Sequence, residues 1–524
     1  MTRIRAARRA AATLVVAVAI VAPSLPSTAG AAGQQVSPSP GAPGVGDRLY
    51  PRLGNGGYDA LHYSLRLRYA TRSPAQAVQG TVRMVARSTK ALSRFNLDFG
   101  GTRVGRVLVD GRAARAVRVG EELVVTPARA IAEGAPFVVV VRRFRATPTT
   151  PDPFQPSSTS FFSTRDGSAT AGQPDGMHDV FPSNDHPRDK AAFAFRIDVP
   201  RGTTAVANGV LTGVQPRGRR TVFTYRQQQP MATELTQVAV GAFRVVRRDP
   251  VDGVRVRDVV PRRLVAAYDR RLAVERQQLR WMRERVGDYP FDTYGSLLVD
   301  TNLGFALETQ TLSLFDTQLF RQPRAGWEPV MLHELAHQWF GNSVSPRQWS
   351  DVWVNEGHAT WYELSYAADR GQLRGHTGGF RTVEGTMRRV YEGSDFLRSE
   401  FGPVARPRSG DELFNPHVYY GGALALFALR QQVGVGAFRR IEQEWVRRYQ
   451  GRSASTRDFI RLSSEVSGQP LDRFLTAWLY GSTTPPMPGR PNWQASPARA
   501  SLRGSSGSAL DALRGLPLLH RHGG

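Results

Sequence analysis

Residues 333–357 read HELAHQWFGNSVSPRQWSDVWVNEG and hold two histidines, four positions apart, in an apolar segment with helical character. Pro329 suits the first turn of a helix and Gly341-Asn342 is a good stop signal, so the sequence predicts one helix over residues 328–340. A second helix is predicted to open within DVWVNEGHATWYE. These two helices carry the ionisable residues on which the predicted chemistry depends.

The histidines and the acidic residues around them have the spacing of a zinc site. His333 and His337 face the same side of the first helix, at a separation that lets both imidazoles reach one ion. Glu334 lies one position round and projects beside the metal, where a base for an activated water must lie. Glu356, on the second helix, can supply the third ligand of a His₂Glu zinc site with an open fourth position. The alternative for the first helix alone is a helix with two partly buried histidines.

Other metal ligands are excluded or unfavourably spaced. The chain contains no cysteine, so any metal must be held by His, Asp or Glu. His358 lies about 200° round the helix from Glu356 and is expected to point away from the metal. The remaining histidines are expected to be surface or structural residues: His62, His178, His186, His376, His417, His520 and His522.

The strand and helix patterns predict two domains. Residues 48–250 contain period-two alternation, as in LHYSLRLRYA, and are predicted to form an all-β domain, most simply a sandwich. Residues 251–483 carry long segments of helical periodicity with a few strands, and are predicted to form a helix-rich catalytic domain with a short helical C-terminal part. The predicted fold class is therefore multidomain α+β.

Both ends of the chain are predicted to lie outside these domains. Residues 1–32 combine four arginines, a short apolar run and the pattern Ala29-Gly30-Ala31, which is the layout of a cleaved secretory signal. Residues 33–47 are predicted to be a Pro/Gly/Ser linker, and residues 484–524 a disordered tail. We therefore expect a secreted, extracytoplasmic protein without a membrane span.

The formal net charge of +25 falls by four, to +21, without the arginines of the predicted signal. Lys90 and Lys190 are the only lysines, so the surplus consists of arginine. The arginines are scattered and no nucleic-acid motif accompanies them, so a nucleic-acid partner is not expected. Weak association with anionic cell-surface polymers is compatible with the charge, and the protein is expected to be a monomer.

The chain resembles the aminopeptidase N family of zinc metallopeptidases, the gluzincin group that includes leukotriene hydrolase. The stretch quoted above is similar to the family signature over its whole length. The segments LGFALETQT, VYYGGALALFAL and GQPDGMHDVFPSNDHPRDKAAFAF also resemble family segments, so the resemblance covers roughly residues 48 to 480. It implies a thermolysin-like catalytic domain with one zinc ion, in a short secreted form that lacks most of the family's C-terminal helical superdomain.

The resemblance also implies roles for single residues. Glu308 aligns with the carboxylate that holds the free N-terminal amine of the substrate, and Ala306 and Leu307 precede it in the same substrate-binding segment. Tyr419 aligns with the family's transition-state tyrosine, and Gln173 stands in the place of a substrate-contacting glutamine. A carboxylate near the zinc pairs with an ammonium group, so Glu308 favours cleavage next to the N-terminus.

Three residues depart from the family pattern. Phe305 stands where the family has glycine, Thr309 where it has asparagine, and Gly421 where it has lysine or arginine. The first two flank the predicted amine-binding segment, so the first substrate subsite is expected to differ in shape.

The predicted function is a secreted zinc aminopeptidase that hydrolyses N-terminal residues from peptides, with Glu334 as general base and Tyr419 as oxyanion partner. A thermolysin-like endopeptidase would use the same zinc residues but ignore the substrate amine. A catalytically lapsed protein that binds zinc or polyanions is the third alternative. The sequence leaves these alternatives open.

Overall fold

The computed structural model describes residues 37–152 and 159–495. They form a strand-rich N-terminal half and a helix-rich C-terminal half, which confirms the predicted α+β class and the order of its parts. The predicted signal over residues 1–32 and most of the predicted tail lie outside the described residues. Among the described residues, no helix combines the length and the apolar character needed to cross a membrane.

The N-terminal half is built from strands in three sheets. In chain order the strands are β1 (Ser39–Pro40), β2 (Tyr58–Arg68), β3 (Val78–Ser88), β4 (Leu92–Asp98), β5 (Val107–Val109), β6 (Arg112–Ala113), β7 (Arg115–Val119), β8 (Glu122–Thr126), β9 (Pro136–Ala146), β10 (Phe161–Ser163), β11 (Gly167–Thr170), β12 (Lys190–Pro200), β13 (Thr204–Ala207), β14 (Val210–Arg217), β15 (Arg220–Ala232) and β16 (Val238–Gly241). An eight-stranded sheet has the order β14-β15-β12-β2-β3-β9-β5-β6, and two four-stranded sheets have the orders β1-β4-β8-β7 and β10-β11-β16-β13. In the large sheet β12 and β2 are parallel, and the other neighbours run antiparallel.

Alternating side chains of these strands enter one shared core. In β2, Tyr63, Leu65 and Leu67 are buried while the residues between them are partly or fully exposed, as the period-two pattern predicts. Phe95 of β4 and Ala239 of β16 belong to the same core, so all three sheets contribute to it. Sheets that share one hydrophobic interior are the arrangement that a sandwich requires.

The C-terminal half combines a five-stranded sheet with helices. Its strands are β17 (Phe243–Val251), β18 (Val254–Pro261), β19 (Thr293–Tyr294), β20 (Ser296–Val299), β21 (Ser313–Asp316), β22 (Val344–Pro346) and β23 (Arg452–Ala454). Its helices are α1 (Val265–Leu272), α2 (Glu275–Val286), α3 (Arg324–Ala336), α4 (Trp353–Asp369), α5 (Leu373–His376), α6 (Val383–Phe401), α7 (Gly422–Val433), α8 (Val435–Tyr449), α9 (Thr456–Ser467) and α10 (Asp472–Tyr480). The sheet has the order β17-β18-β20-β21, with β19 on β18, and β22 pairs with β23. Because β17 forms a hairpin with β18, the sheet begins a few residues before the predicted boundary at 250.

Two segments that were predicted to be linker and tail pack on the fold. In the predicted linker, β1 pairs with β4, and the Asp47 carboxylate accepts hydrogen bonds from His186 (3.1 Å) and from the main chain of Trp349 (2.7 Å). In the predicted tail, Met487 and Trp493 are buried against the helical core. The boundaries differ from the composition-based prediction because a few anchoring side chains are enough to hold a segment rich in Pro and Gly.

Helices α4 and α7 touch at a pair of glycines. A Cβ on Gly357 would lie 2.9 Å from Cα of Gly422, and a Cβ on Gly422 would lie 2.8 Å from Cα of Gly357. Only glycine at both positions allows the two backbones to come this close. Because Gly357 follows Glu356 directly, this contact sets the depth at which the predicted third zinc ligand lies.

We expect Gly422→Ala to lower the free energy of unfolding by about 1–3 kcal/mol, because the added methyl group forces α7 away from α4. Gly436→Ala is the matched control, since a Cβ there would meet only the Arg440 guanidinium, at 3.7 Å. Alanine at this helical position should leave stability unchanged or raise it by about 0.4–1 kcal/mol. Denaturant unfolding of both zinc-loaded variants checks this, and equal stabilities would contradict a tight α4–α7 contact.

Candidate metal centre and active site

Helix α3 carries the first half of the centre. It begins four residues before the predicted start and ends four residues before the predicted end. The prediction assigned the start to the wrong proline: Pro323 occupies the N-cap position, and Pro329 lies inside the helix. His333 nevertheless lies in the last turn of α3, and His337 is the residue that ends it. The two imidazoles therefore keep the relation that the four-residue spacing predicts.

His333, His337 and Glu356 meet in one buried cluster. The Nε2 atoms of the two histidines lie 3.3 and 3.4 Å from the same oxygen of Glu356, Oε2. The three candidate ligand atoms lie within 4.8 Å of one another, and each residue is 1 % exposed. Helices α3 and α4 thus bring the three predicted ligands together.

Acceptors on the far side of both rings set the tautomers of the histidines. Nδ1 of His333 donates to Oε2 of Glu363 at 2.8 Å, and Nδ1 of His337 donates to the main-chain oxygen of Phe340 at 3.1 Å. Both Nε2 lone pairs then face Glu356. A proton or a metal ion between each Nε2 and the carboxylate oxygen makes this close approach favourable. Two imidazole nitrogens and one carboxylate are the donor set of a catalytic zinc ion, and these residues fit it.

The charges around the cluster favour a cation at the same point. Burial lowers the pKa of His333, but Glu356 and Glu363 outweigh burial and raise the pKa to about 10. For His337, burial is outweighed by Glu308 and Glu356, and the pKa rises to about 9. Burial raises the pKa of Glu356, but the two histidines outweigh it and hold the pKa below its usual range. Among the described residues, none hydrogen-bonds to Oε1 of Glu356, which leaves this buried oxygen to a metal ion.

Glu363 and His376 support the candidate ligand His333, and the sequence did not predict either role. Glu363 accepts the Nδ1 proton of His333, and its other oxygen lies 2.8 Å from Nε2 of His376. A carboxylate behind a ligating histidine fixes the orientation of the ring and raises its basicity. Glu363 follows Glu356 by seven residues, two turns along the same face of α4, and this spacing could have identified it.

Glu334 lies beside the ligands. It is 1 % exposed, and it forms a second buried group with Glu308 and His337 whose ligand atoms lie within 4.8 Å of one another. Burial raises the pKa of Glu334 to about 8, and His333 and His337 oppose this rise. The carboxylate therefore stands close to both the metal ligands and Glu308, as the prediction requires.

Glu308 lies next to His337 and Glu334, in the segment between β20 and β21. Its Oε1 accepts a hydrogen bond from Nε2 of Gln173 at 2.8 Å and lies 4.0 Å from Nδ1 of His337. Its main-chain oxygen accepts from the side-chain amides of Gln338 (3.1 Å) and Asn342 (2.6 Å). Gln173 belongs to the N-terminal half, so both halves of the chain build this part of the site.

The neighbours of Glu308 pack into the interior. Leu307 pairs through its main-chain N–H (3.0 Å) and oxygen (2.7 Å) with Leu314, and its side chain lies in the N-terminal core. Its predicted substrate contact stays a prediction. Ala306 is buried in a neighbouring cluster, and its predicted substrate contact stays a prediction. Two residues of this segment depart from the family pattern. Phe305 packs into the core, and the Thr309 hydroxyl donates a hydrogen bond to the main-chain oxygen of Leu312, just before β21.

Tyr419 lies in a π-helical turn, His417–Gly421, that leads into α7. Its ring stacks on the His333 imidazole, with centroids 6.0 Å apart and an interplanar angle of 23°. Burial and the nearby carboxylate of Glu356 raise the pKa of Tyr419 well above its usual value, so the hydroxyl keeps its proton at neutral pH. Single π-helical turns occur frequently at functional sites, and this one brings a phenol next to the first metal ligand.

The departure at Gly421 has a steric reason. A Cβ at this position would lie 2.2 Å from Cδ2 of the His417 ring. His417 is buried, and its Nδ1 donates to the main-chain oxygen of Gly402 at 2.9 Å. Burial, assisted by Arg398, lowers the pKa of His417 to about 3, so the ring is neutral. A neutral imidazole packed under the turn thus requires glycine, and His417 is a structural histidine as predicted.

Comparisons with known proteins find aminopeptidases and zinc metallopeptidases similar to this chain. The profile of the Peptidase family M1 domain matches residues 271–478. The chain is 26% identical to Aminopeptidase M1 of Arabidopsis thaliana (59% of this chain, 36% of that protein) and 29% identical to Aminopeptidase N of Streptomyces lividans (57% and 36%). It thus spans little more than a third of these relatives. The crystal structure of an M1 zinc metallopeptidase from Deinococcus radiodurans is similar with 30% identity and a TM-score of 0.73, covering 85% of this chain and 99% of that one.

We expect Glu363→Gln to lower zinc affinity about 10–100-fold, because His333 loses the carboxylate that orients its ring. Glu442→Gln is the matched control: Glu442 is also buried next to a histidine, 3.3 Å from His358, but this histidine is not a candidate ligand. Competition with a chromophoric chelator measures the affinity of both variants. The same zinc affinity in both would contradict the role given to Glu363.

Proposed function

The chain belongs to peptidase family M1, the aminopeptidase N family of zinc metallopeptidases, and we propose that it is a zinc aminopeptidase that removes N-terminal residues from peptides. The observation that carries the proposal is the buried carboxylate of Glu308, 4.0 Å from the candidate ligand His337. A metal centre alone is compatible with cleavage anywhere in a peptide. An anionic group beside the metal ligands selects substrates by their free amine.

Glu308 and Gln173 form the amine subsite. The substrate ammonium, whose reference pKa is about 7.7–8, pairs with the Glu308 carboxylate. Gln173 holds that carboxylate through its Nε2, and its own Oε1 is buried and available as a second acceptor for the ammonium. A charged pair in a buried site is strong only when the hydrogen bonds around it are satisfied. A peptide with a blocked amine loses both contacts.

The scissile peptide bond lies among three groups: the zinc ligands, the Glu334 carboxylate and the Tyr419 hydroxyl. When bound, the zinc ion supplies a Lewis acid that activates water and polarises the scissile carbonyl. Glu334 takes the proton of the attacking water and passes it to the leaving amine, a role typically worth about 10²–10⁴ in rate. The Tyr419 hydroxyl, which keeps its proton at neutral pH, donates to the developing oxyanion and contributes roughly 3–4 kcal/mol.

The similar metallopeptidase from Deinococcus radiodurans supports the substrate class. A mutant of it has been crystallised with a Tyr-Ser-Ala substrate, and a similar two-domain M1 zinc metallopeptidase mutant with L-arginine and with L-tryptophan. A short peptide and free amino acids are the substrate and product types of an aminopeptidase. The similarity covers 99% of the Deinococcus radiodurans chain and 85% of this one, so it extends to both halves of this protein.

We expect free-amine peptides to be cleaved at least tenfold faster than their N-acetylated forms, and Glu308→Gln to abolish most of that preference, because the ammonium loses its anionic partner. The measurement is kcat/KM for a peptide pair that differs only in the acetyl group. Glu442→Gln, a buried carboxylate outside the amine subsite, should keep the preference of the parent.

Glu334→Gln provides the baseline of this experiment, as a variant that retains the metal ligands but not the base. Equal rates on free and acetylated peptides would favour an endopeptidase. A zinc-loaded parent no more active than Glu334→Gln would favour the lapsed binding protein. Either result would overturn the aminopeptidase proposal.

We also propose that the protein acts outside the cytoplasm, as a monomer, after cleavage of residues 1–32. The support is the arginine-rich, apolar and small-residue order of that segment. The arginine surplus gives a weak, salt-sensitive attraction to anionic cell-surface polymers. N-terminal sequencing and gel filtration of the protein recovered from culture medium test this, and an intact N-terminus inside the cell would contradict it.

A further inference from the structure

Lys190, one of two lysines in the chain, lies where the two halves of the protein meet. It is the first residue of β12, and its Nζ donates hydrogen bonds to the main-chain oxygens of Asn342 (2.8 Å) and Ser343 (2.9 Å). The proposed mechanism does not use this residue. Two bonds from one amine to adjacent carbonyls fix both the position and the orientation of the turn that carries them.

The turn at Asn342 and Ser343, which Lys190 holds, joins helix α3, the helix that carries His333, to the amine subsite. The main-chain N–H of Asn342 donates to the oxygen of His337 at 2.9 Å. The Asn342 side-chain amide donates to the main-chain oxygen of Glu308 at 2.6 Å. Asn342 is fully buried, so its amide has no freedom to reach Glu308 from another position. A displacement of this turn must therefore move the Glu308 main chain relative to the zinc ligands.

The N-terminal half thus supports Glu308 at two points. Gln173 bonds directly to the carboxylate, and Lys190 acts on the main chain through Asn342. Two further supports come from the C-terminal half: the side-chain amide of Gln338 donates to the main-chain oxygen of Glu308, and the neighbouring Leu307 pairs with Leu314 of β21. Lys190 is therefore the point at which the N-terminal half acts on the main chain of Glu308 through the turn at Asn342.

The charge state of Lys190 does not decide this contact. Burial lowers the pKa of Lys190, and the nearby carboxylate of Glu234 opposes the shift. Burial raises the pKa of Glu234, as does the proximity of Glu308. A neutral amine still has two N–H donors, the number that the two carbonyls of the turn require. The hydrogen-bonding geometry, and not the net charge, is what connects Lys190 to the site.

We propose that Lys190 is a positioning residue for the amine subsite: it holds the turn at Asn342, and through this turn it holds Glu308 at the distance from the zinc ligands that a substrate ammonium requires. The inference rests on the proposed aminopeptidase function. Lys190 contacts none of the candidate zinc ligands in the described contacts. Its loss weakens recognition of the free amine and leaves the metal bound.

The test is a double-mutant cycle on kcat/KM for a free-amine aminoacyl reporter, with Lys190→Met, Glu308→Gln and the double variant. We expect Lys190→Met to raise KM about tenfold, to change kcat less than about threefold, and to keep one zinc per chain. In the Glu308→Gln background, the same substitution should change kcat/KM less than about twofold, because the anchor that Lys190 positions is already absent. A purely structural role would give additive effects.

Two further variants complete the design. Lys90→Met is the matched control, since Lys90 also donates to a main-chain oxygen, that of Pro40 (3.2 Å), but not to the turn; it should leave KM unchanged. If Lys190→Met does not fold, Asn342→Ala enters the same cycle, because it removes the link to Glu308 from its other end. Additivity, or loss of activity that added zinc restores, would overturn the inference alone. An unchanged KM in Glu308→Gln would overturn the proposed amine subsite and the inference with it.

Discussion

Four carboxylates and two imidazoles are buried together in this protein, and the surrounding structure must compensate the cost of burying them. The carboxylates of Glu308, Glu334, Glu356 and Glu363 are each at most 3 % exposed. Enclosing unpaired negative charges costs several kcal/mol each, so such a cluster persists only with a positive charge at its centre and with hydrogen bonds to its outer atoms. Helices α3 and α4 provide the ligands for a cation. Glu363 and the Phe340 carbonyl accept hydrogen bonds from the Nδ1 atoms of His333 and His337.

This requirement explains features that are otherwise separate. The glycine contact between α4 and α7 lets the helix that carries Glu356 lie deep in the core. The π-helical turn brings Tyr419 over the first imidazole, and the His417 ring under that turn excludes any side chain at Gly421. The departure from the family pattern at Gly421 is therefore a consequence of local packing and not a change in the reacting groups.

The sequence predicted the parts of the site that depend on local spacing. The four-residue separation of the histidines and the position of Glu334 follow from helix geometry, and Glu363 could have been found by extending the same reasoning two turns along α4. The parts that depend on distant contacts were not accessible in this way. Lys190 and Asn342 are 152 residues apart, and no local pattern links them. Composition also misjudged the segments near Asp47 and Trp493, because a few buried side chains hold them.

The contact of Asp47 with Trp349 constrains the order in which the chain can fold. These residues are separated by 302 positions, and Asp47 also binds His186 of the N-terminal half. A chain that emerges with its N-terminus first cannot close this contact until residue 349, inside the C-terminal half, has emerged. The strands of the N-terminal half can pair before that moment. The metal site forms only when both α3 and α4 are present, because each helix carries part of the ligand set. Assembly of the metal centre and formation of the Asp47–Trp349 hydrogen bond thus both wait for the same stretch of chain, residues 333 to 356, which follows the whole N-terminal half.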